Sequence, residues 1–399
     1  MITSSYPKFP GDVTAPFIES IARGVAARGH AVDVVLPEHP QLRREPDEPV
    51  RFFPYRYAPS ASWALWGYAQ SLEADVRVRR RTYLLAPFVA AALRSRVGRL
   101  LAERRYAVVH AHWVIPNAAL VADVVRSHHT PFVVSLHGSD VFVAERLGGV
   151  RALARVTLAG AGVVTACSGE LARRGIRLGA RRERTRTIPY GVDAVAFAPR
   201  RDATALRHGL GLPPDGFLVL AFGRLVEKKG FRYLIEAAAR TPGVQVAIAG
   251  DGDLRAELEL QARRLAAPVR FLGNLPRQAL AEALAAADAV AIPSVVDRAG
   301  NVDGLPNTLL EALAAGKPLV ASRLAGIPDV VEHERHGLLV PEKDAAALAC
   351  ALGRLQSEPQ TRERLAREAR RLALTRLTWE AAAADFKDAY AQAATLDAR

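Results

Sequence analysis

The sequence predicts an α/β protein of two tandem doubly wound domains, each a parallel sheet covered by helices. Three observations carry this expectation. Short, nearly continuous apolar runs alternate with helical patterns along the 399 residues. The runs are apolar throughout rather than alternating, as in strands buried on both faces. A Gly- and Pro-rich break at 188–216, "IPYGVDAVAFAPRRDATALRHGLGLPPDG", interrupts the alternation once, and it then restarts. Each half is long enough to bury its own core.

The first half opens with a helix over 17–28, where Phe17/Ile18, Ile21/Ala22 and Val25/Ala26 recur at helical spacing. Thr14 is placed to cap it and Gly29 to end it. Strands follow at "AVDVVL" (31–36), "YAVVHAHW" (106–113), "PFVVSLHG" (131–138) and "GVVTACS" (162–168). A first strand should precede "SSYP" (4–7), yet only Met1, Ile2 and Thr3 stand before it. A strand usually takes about five residues, so strand one is either short or completed by residues upstream. The second half repeats the plan with "FLVLAFG" (217–223), "VQVAIAG" (244–250), "VRFLG" (269–273), "AVAIP" (289–293), "PLVAS" (318–322) and "GLLV" (337–340). Two Ala/Arg/Glu-rich helices, 359–375 and 379–396, close the chain.

Composition narrows the classes. Half the residues are hydrophobic and 24% charged, as in soluble globular proteins. The longest apolar run, "YLLAPFVAAAL" (83–93), stops at Arg94, short of a membrane span, and the first residues lack the features of a signal peptide. Two cysteines, Cys167 and Cys350, fit a reducing cytoplasm. The net charge is +13, and only six of the 54 basic residues are lysine. Arginine bias accounts for part of this; an anionic partner is the functional alternative. Trp63, Trp66 and Tyr68 stand close to Arg77, Arg79, Arg80 and Arg81 in 61–88, a pattern that suits either a bilayer interface or a solvated helix with aromatic core residues.

Ligands of such sheets bind beyond the carboxyl ends of the strands, and the candidate residues gather there. "GRLVEKKG" (223–230) puts Arg224 and Lys229 between a strand and a helix start, a natural pyrophosphate site or a solvated basic loop. "GDGD" (250–253) ends the next strand; a divalent-metal site and a glycine turn with acidic helix caps both fit it, and Arg255 in the third glycine position excludes a dinucleotide fingerprint. His110 and His112 share one face of a strand, as core residues or a metal pair without an acidic or cysteine partner nearby. His137, Gly138 and Asp140 lie in "SLHGSD" (135–140) at another strand end, and Gly11 in "PGDV" (10–13) lets the backbone approach a ligand. In "DGLPNTLLEALAAGKPLVAS", Asp303 and Glu311 stand eight positions apart around the start of an apolar helix.

Together, "GRLVEKKG", "GDGDLRAELE", "FLGNLP", "DGLPNTLLEALAAGKPLVAS" and "HGLLV", with "HAHW", "LHGSD" and "IPYGVD" upstream, resemble the retaining glycosyltransferases of family 4 over nearly the whole chain. The resemblance implies the GT-B fold: two Rossmann-like domains facing across a cleft, 1–195 for the acceptor and 196–378 for a nucleotide-sugar, with 379–399 crossing back onto the first. It implies a sugar transfer from a UDP- or GDP-sugar to a glycan, lipid-linked or small-molecule acceptor, with no metal and no other cofactor. Glu311 matches the acid that binds the ribose hydroxyls. Asp303 matches the acid that contacts the donor sugar, normally a glutamate and here one methylene shorter, with Asp297 and Arg298 in its loop to adjust the fit. The N–H groups of Asn307, Thr308 and Leu309 would face the pyrophosphate, and Arg224 and Lys229 would neutralise the leaving diphosphate. His137 matches a histidine on the donor sugar. Gly11, Gly223, Gly250, Gly252 and Leu275 complete the donor side, and Asp12, His112 and Asp140 the acceptor side. The expected setting is polysaccharide or glycolipid assembly in the cytoplasm, with peripheral contact at the inner, anionic face of the membrane only if 61–88 is the interfacial segment rather than the solvated helix. A GT-B nucleotide-sugar epimerase and an inactive nucleotide-sugar-binding scaffold are the alternatives. A nucleic-acid-binding role is not expected, since the arginines are scattered along helices without stacking platforms.

Overall fold

The computed structural model describes residues 1–12, 14–45, 47–60, 63, 65–67, 80–198, 207–208 and 216–397. The chain divides into two compact units, Met1–Pro189 with Trp379–Arg399, and Tyr190–Thr378.

In the first unit, β1 (Val32–Pro37) pairs in parallel with β2 (Val50–Tyr55). A second parallel run follows the order β3 (Val109–His112), β4 (Phe132–Leu136), β5 (Val163–Ala166) and β6 (Thr185–Thr187). Ile2 joins the two runs by parallel bridges to Val35 in β1 and Ala111 in β3. Its N–H donates to the His110 carbonyl at 2.8 Å, and its carbonyl accepts from the His112 N–H at 2.9 Å. In this chain Ile2 thus takes the place of a strand between β1 and β3. β2 is a strand the sequence does not announce, because Pro54 argues against one; as an edge strand bonded only to β1, it tolerates the missing N–H.

The helix Pro16–Ala26 buries Ile18, Ile21, Ala22 and Val25. Thr14 does not cap it. Its hydroxyl donates to Asp12 Oδ1 at 2.9 Å, and the helix instead starts from Ala15 in a left-handed conformation, φ 49°. The helix Trp379–Asp397 packs on the same core through Phe386, Ala389 and Ala393. A Cβ on Gly24 would stand 2.8 Å from the Ala383 Cβ, so the glycine permits the close approach of the two helices.

The second unit holds one six-stranded parallel sheet in the order β12–β11–β10–β7–β8–β9. These are β7 (Phe217–Phe222), β8 (Val244–Ala249), β9 (Val269–Gly273), β10 (Ala289–Ile292), β11 (Leu319–Ser322) and β12 (Leu338–Val340). β7 and β10 are buried along their whole length. From β7 the sheet grows one way through β8 and β9 and the other way through β10, β11 and β12, so the strand order reverses between β7 and β10. That reversal is where open α/β sheets place ligands. The core beneath it includes Val219, Ala221, Leu225, Leu234 and Ile235; burying one such leucine contributes about 1.5–3 kcal/mol. No helix of the described residues is long and apolar enough to cross a membrane.

The exits of β7 and β8 are locked together by backbone alone. Gly223 N–H donates to Ala249 O at 2.9 Å, Leu225 N–H to Asp251 O at 2.8 Å, and Leu254 N–H to Leu225 O at 3.0 Å. A Cβ on Gly250 would stand 1.9 Å from the Gly223 carbonyl oxygen, and φ there is +135°. Gly250→Ala should therefore destabilise the protein by about 1–3 kcal/mol from backbone strain alone, with the collision adding to it. Gly300→Ala, at φ +81° but with nothing within 4 Å, carries the strain without the collision. Thermal unfolding followed by circular dichroism should rank Gly250→Ala well below Gly300→Ala; equal melting temperatures would contradict the packing argument.

Candidate functional site

The loop leaving β7 carries the cations. Glu227–Lys229 forms one 3-10 turn, followed by Gly230 at φ 67°. A Cβ on Gly230 would lie 1.8 Å from the Pro293 carbonyl oxygen, and Val295 N–H donates to Lys228 O at 2.9 Å. The loop is thus held against the exit of β10 as well as that of β8. Two adjacent lysines, Lys228 and Lys229, reach the same carboxylate: Lys229 Nζ lies 2.6 Å from Asp303 Oδ2 and Lys228 Nζ 3.3 Å from Asp303 Oδ1. Burial works against a charge on Asp303, but Lys229 and Lys228 together hold its carboxyl well below the usual carboxylate range. Arg224 is exposed at the start of this loop. The sequence names Arg224 and Lys229 as the cations and misses Lys228. The visible signal was two adjacent lysines in a chain whose other cations are nearly all arginine.

The helix Asn307–Ala314 begins four residues after Asp303. No side chain caps it, so the N–H groups of Asn307 and Thr308 carry its positive end. Leu309 N–H is used internally, donating to Pro306 O at 3.0 Å, and the Leu309 side chain is in the core. The Glu311 side chain, one turn in, forms no hydrogen bond or ion pair with the described residues. Burial pushes its carboxyl up to about 7, against the opposing fields of Arg277 and Lys229. Arg277 was not anticipated; it pairs with Asp193 at 2.7 Å and lies over the Phe197 ring. Leu275 is half-buried just beyond β9.

Several expected residues serve the framework. Gly250 and Gly252 face the Gly223–Leu225 backbone rather than open space. Asp251 turns its carboxylate to the Gly252 N–H at 2.8 Å. Asp297 caps its own turn by accepting from Ala299 and Asn301 N–H, and Arg298 pairs with Glu227 at 3.3 Å, so neither is committed to adjusting Asp303.

In the first unit, Asp140 is buried and accepts from Val114 N–H at 2.8 Å, His137 N–H at 3.2 Å and Gly138 N–H at 3.0 Å. It fixes the loop that presents His137. Phe17 and Trp113 pack on the His137 ring, and His112 Nδ1 lies 3.2 Å from His137 Nε2. Burial pushes His137 down to about 3 and His112 well below its ordinary value, so the pair is neutral. His110 does not join a metal pair with His112: its ring nitrogens are taken by the Tyr390 hydroxyl at 2.8 Å and Ser135 Oγ at 2.6 Å. Asp12 is spent on its loop, accepting from Lys8 and Thr14, while Gly11, at φ +89°, has nothing within 4 Å of its missing Cβ. Of the aromatic and basic segment, Tyr68, Arg77 and Arg79 lie outside the described residues, as do the side chains of Arg80 and Arg81.

Two Rossmann-like α/β units, one with lysines, an open helix start and an unpartnered acid at its strand ends, define the class of GT-B glycosyltransferases. Residues 15–195 match the family model described as Glycosyltransferase Family 4, and 202–372 the one described as Glycosyl transferases group 1. The chain is 36% identical over 332 residues to the D-inositol 3-phosphate glycosyltransferase of Xylanimonas cellulosilytica, covering 77% of each. It is 33% identical over 312 residues to the GDP-mannose-dependent alpha-(1-6)-phosphatidylinositol monomannoside mannosyltransferase of Mycolicibacterium smegmatis, covering 76% of this chain and 80% of that one. Among solved structures, Anabaena HepE in complex with UDP has a TM-score of 0.74 at 22% identity, over 97% of both chains. The sucrose-phosphate synthase of Thermosynechococcus elongatus has a TM-score of 0.75 at 24% identity, over 94% and 92%. The chain belongs to glycosyltransferase family 4.

Glu311 yields a stability test. Its folded pKa of about 7 exceeds the ordinary 4.5, so the folded state is penalised when the group ionises. The penalty is absent below 4.5, grows as pH rises to 7 and is complete above it. Glu311→Gln should melt higher than wild type at pH 8, with the difference shrinking towards pH 5. A variant that melts lower at pH 8 would show that the carboxylate is satisfied by the protein.

Proposed function

We propose that this glycosyltransferase moves a sugar from a UDP- or GDP-sugar to a hydroxyl of a glycan or glycolipid acceptor, with retention of anomeric configuration and without a metal ion. The observation that carries this reading is Glu311: a carboxylate without a partner, one turn from an uncapped helix start, in the field of Lys229. In this reading Glu311 accepts hydrogen bonds from the ribose hydroxyls. The N–H groups of Asn307 and Thr308, with Lys229 and Arg224, receive the diphosphate and stabilise its charge as the glycosidic bond breaks. Asp303 contacts the donor sugar. The acceptor hydroxyl attacks from the face the diphosphate leaves, and the departing phosphate oxygen takes its proton, so no protein base is assigned. The two curated relatives are named for inositol phosphate and phosphatidylinositol mannoside chemistry, which supports a glycan or glycolipid acceptor. HepE is solved with UDP and the mannosyltransferase is named for GDP-mannose, so both bases stay in the proposal. Membrane contact is not part of it, because much of the basic cluster that would make it lies outside the described residues.

Thermal shift with UDP, GDP and ADP, free and as sugar conjugates, tests the site. A ligand at a hundred times its Kd adds about 2.7 kcal/mol. One nucleotide class should stabilise the protein, and Glu311→Ala and Arg224→Ala should abolish the shift. Because the ribose takes the ionised Glu311, affinity should fall below pH 7, by up to about tenfold per pH unit. No shift with any nucleotide would remove the reading.

Transfer itself is tested with the donor so identified and a panel of glycan and glycolipid acceptors in excess EDTA. The product should form at an undiminished rate, and NMR should find the donor's anomeric configuration in it. Inverted product would refute retention, and loss of turnover restored by a divalent ion would refute metal independence. Binding without transfer to any acceptor would leave a nucleotide-sugar-binding scaffold.

A further inference from the structure

Lys228 has no role in the reading above, yet it shares a carboxylate with the lysine that has one. Lys228, Lys229 and Asp303 side chains are only 11%, 15% and 17% exposed, so their charges are weakly screened. Asp303 grips Lys229 more closely, at 2.6 Å against 3.3 Å for Lys228. Two ammonium groups against one carboxylate leave one positive charge on this cluster. Remove Lys228, and Asp303 and Lys229 cancel. The pair then adds nothing to the attraction that Arg224 offers an incoming diphosphate, and to reach Lys229 the anion must first break a neutral, partly buried pair.

We propose that Lys228 is a positioning residue for the donor site: it holds Asp303 by the second carboxylate oxygen, so that Lys229 can turn from Asp303 to the diphosphate. This inference rests on the nucleotide-sugar reading. The geometry favours such a hand-over. Lys228 and Lys229 are neighbours on one 3-10 turn, and the turn is pinned at Gly230 and through the Lys228 carbonyl to Val295. The backbone therefore need not move when Lys229 changes partner. Asp303 keeps an ammonium beside it throughout and is never left as a lone, partly buried charge.

The test is calorimetric titration with UDP, GDP, ADP and inorganic pyrophosphate, on wild type, Lys228→Met, Asp303→Asn and the double variant. Melting temperatures check that each is folded, and Lys228→Gln replaces Lys228→Met if that variant is not. If Lys228 acts through Asp303, Lys228→Met should weaken diphosphate binding at least tenfold in wild type and less than twofold in the Asp303→Asn background. Asp303→Asn alone should tighten binding, because it frees Lys229, and Lys228→Arg should restore most of the affinity. An equal loss in both backgrounds would mean that Lys228 meets the diphosphate directly, and no loss in wild type would mean that it does nothing; either overturns the proposal. Wild type that binds none of the four probes would overturn the nucleotide-sugar reading and this inference with it, whereas binding without background dependence overturns this inference alone.

Discussion

The candidate site depends on one backbone contact, the seating of Gly223–Leu225 on Gly250–Gly252. β7 and β8 are parallel neighbours in continuous register from Phe217–Val244 to Phe222–Ala249, so both strands end at the same edge of the sheet. Their loops can meet there only where no Cβ intervenes, and a Cβ on Gly250 would stand 1.9 Å from the Gly223 oxygen. Leu225, fully buried, anchors the contact from below. Gly230 and the Lys228 carbonyl then tie the same loop to the exit of β10. Main-chain packing thus positions the lysines at a strand-order reversal, and their side chains are not consumed in holding the loop.

Two acids eight residues apart meet opposite environments on this framework. Asp303 has two lysines and remains charged, whereas Glu311 has burial without a partner and its proton is held to about neutrality. Splitting two carboxylates in this way is how one fold assigns them different work. The charged one matches a place where positive charge must be balanced before an anion arrives. The other matches a place where a ligand's hydroxyl groups supply the missing hydrogen bonds. The helix Asn307–Ala314 links them, since its uncapped start lies between the two in sequence. The cost of an unsatisfied Glu311 falls on the folded protein, and in the proposed reading the ribose hydroxyls relieve it, as with other groups kept for binding rather than stability.

Most of the sheet was legible because parallel strands buried on both faces are nearly pure apolar runs. β7, at Phe217–Phe222, falls where "FLVLAFG" predicts it and is buried along its whole length. β2 was not legible, since Arg51 and Pro54 are tolerated there only at an edge, and an edge is a property of the assembled sheet. The first strand was half legible: the turn after it shows in sequence, but its reduction to Ile2 depends on β1 and β3 arriving on either side. Thr14 reads as a helix cap because its spacing is right, but the helix starts from Ala15, and the Thr14 hydroxyl accepts from Lys8 Nζ while donating to Asp12. At the candidate site, the order of motifs points to Asp303, Glu311 and Lys229, but the sharing of Asp303 with Lys228 follows from a 3-10 turn that residue spacing does not reveal. Asp140 read as a site residue for the same reason that it matters to the fold: a buried carboxylate at a strand end accepts three backbone N–H groups, and sequence cannot tell that use from ligand contact.

The choice of cation is the remaining clue. With six lysines among 54 basic residues, arginine is the default cation of this chain, and four of the six lysines sit where a compact ammonium is required. Lys317 places one Nζ between the carbonyls of Ala285 and Ala287, at 2.9 and 2.7 Å, to close the helix Arg277–Ala286. Lys8 reaches Asp12 and Thr14 within one tight loop. Lys228 and Lys229 share Asp303. A guanidinium at 229 would engage both carboxylate oxygens in a planar fork and so resist exchange with a diphosphate. An ammonium makes a single-point contact that can be given up for another anion without loss of geometry. A pair of lysines on one carboxylate is therefore suited to releasing a cation to a ligand, whereas the arginine pairs elsewhere in the chain, such as Arg174 with Glu145 or Arg354 with Glu334, are suited to holding on.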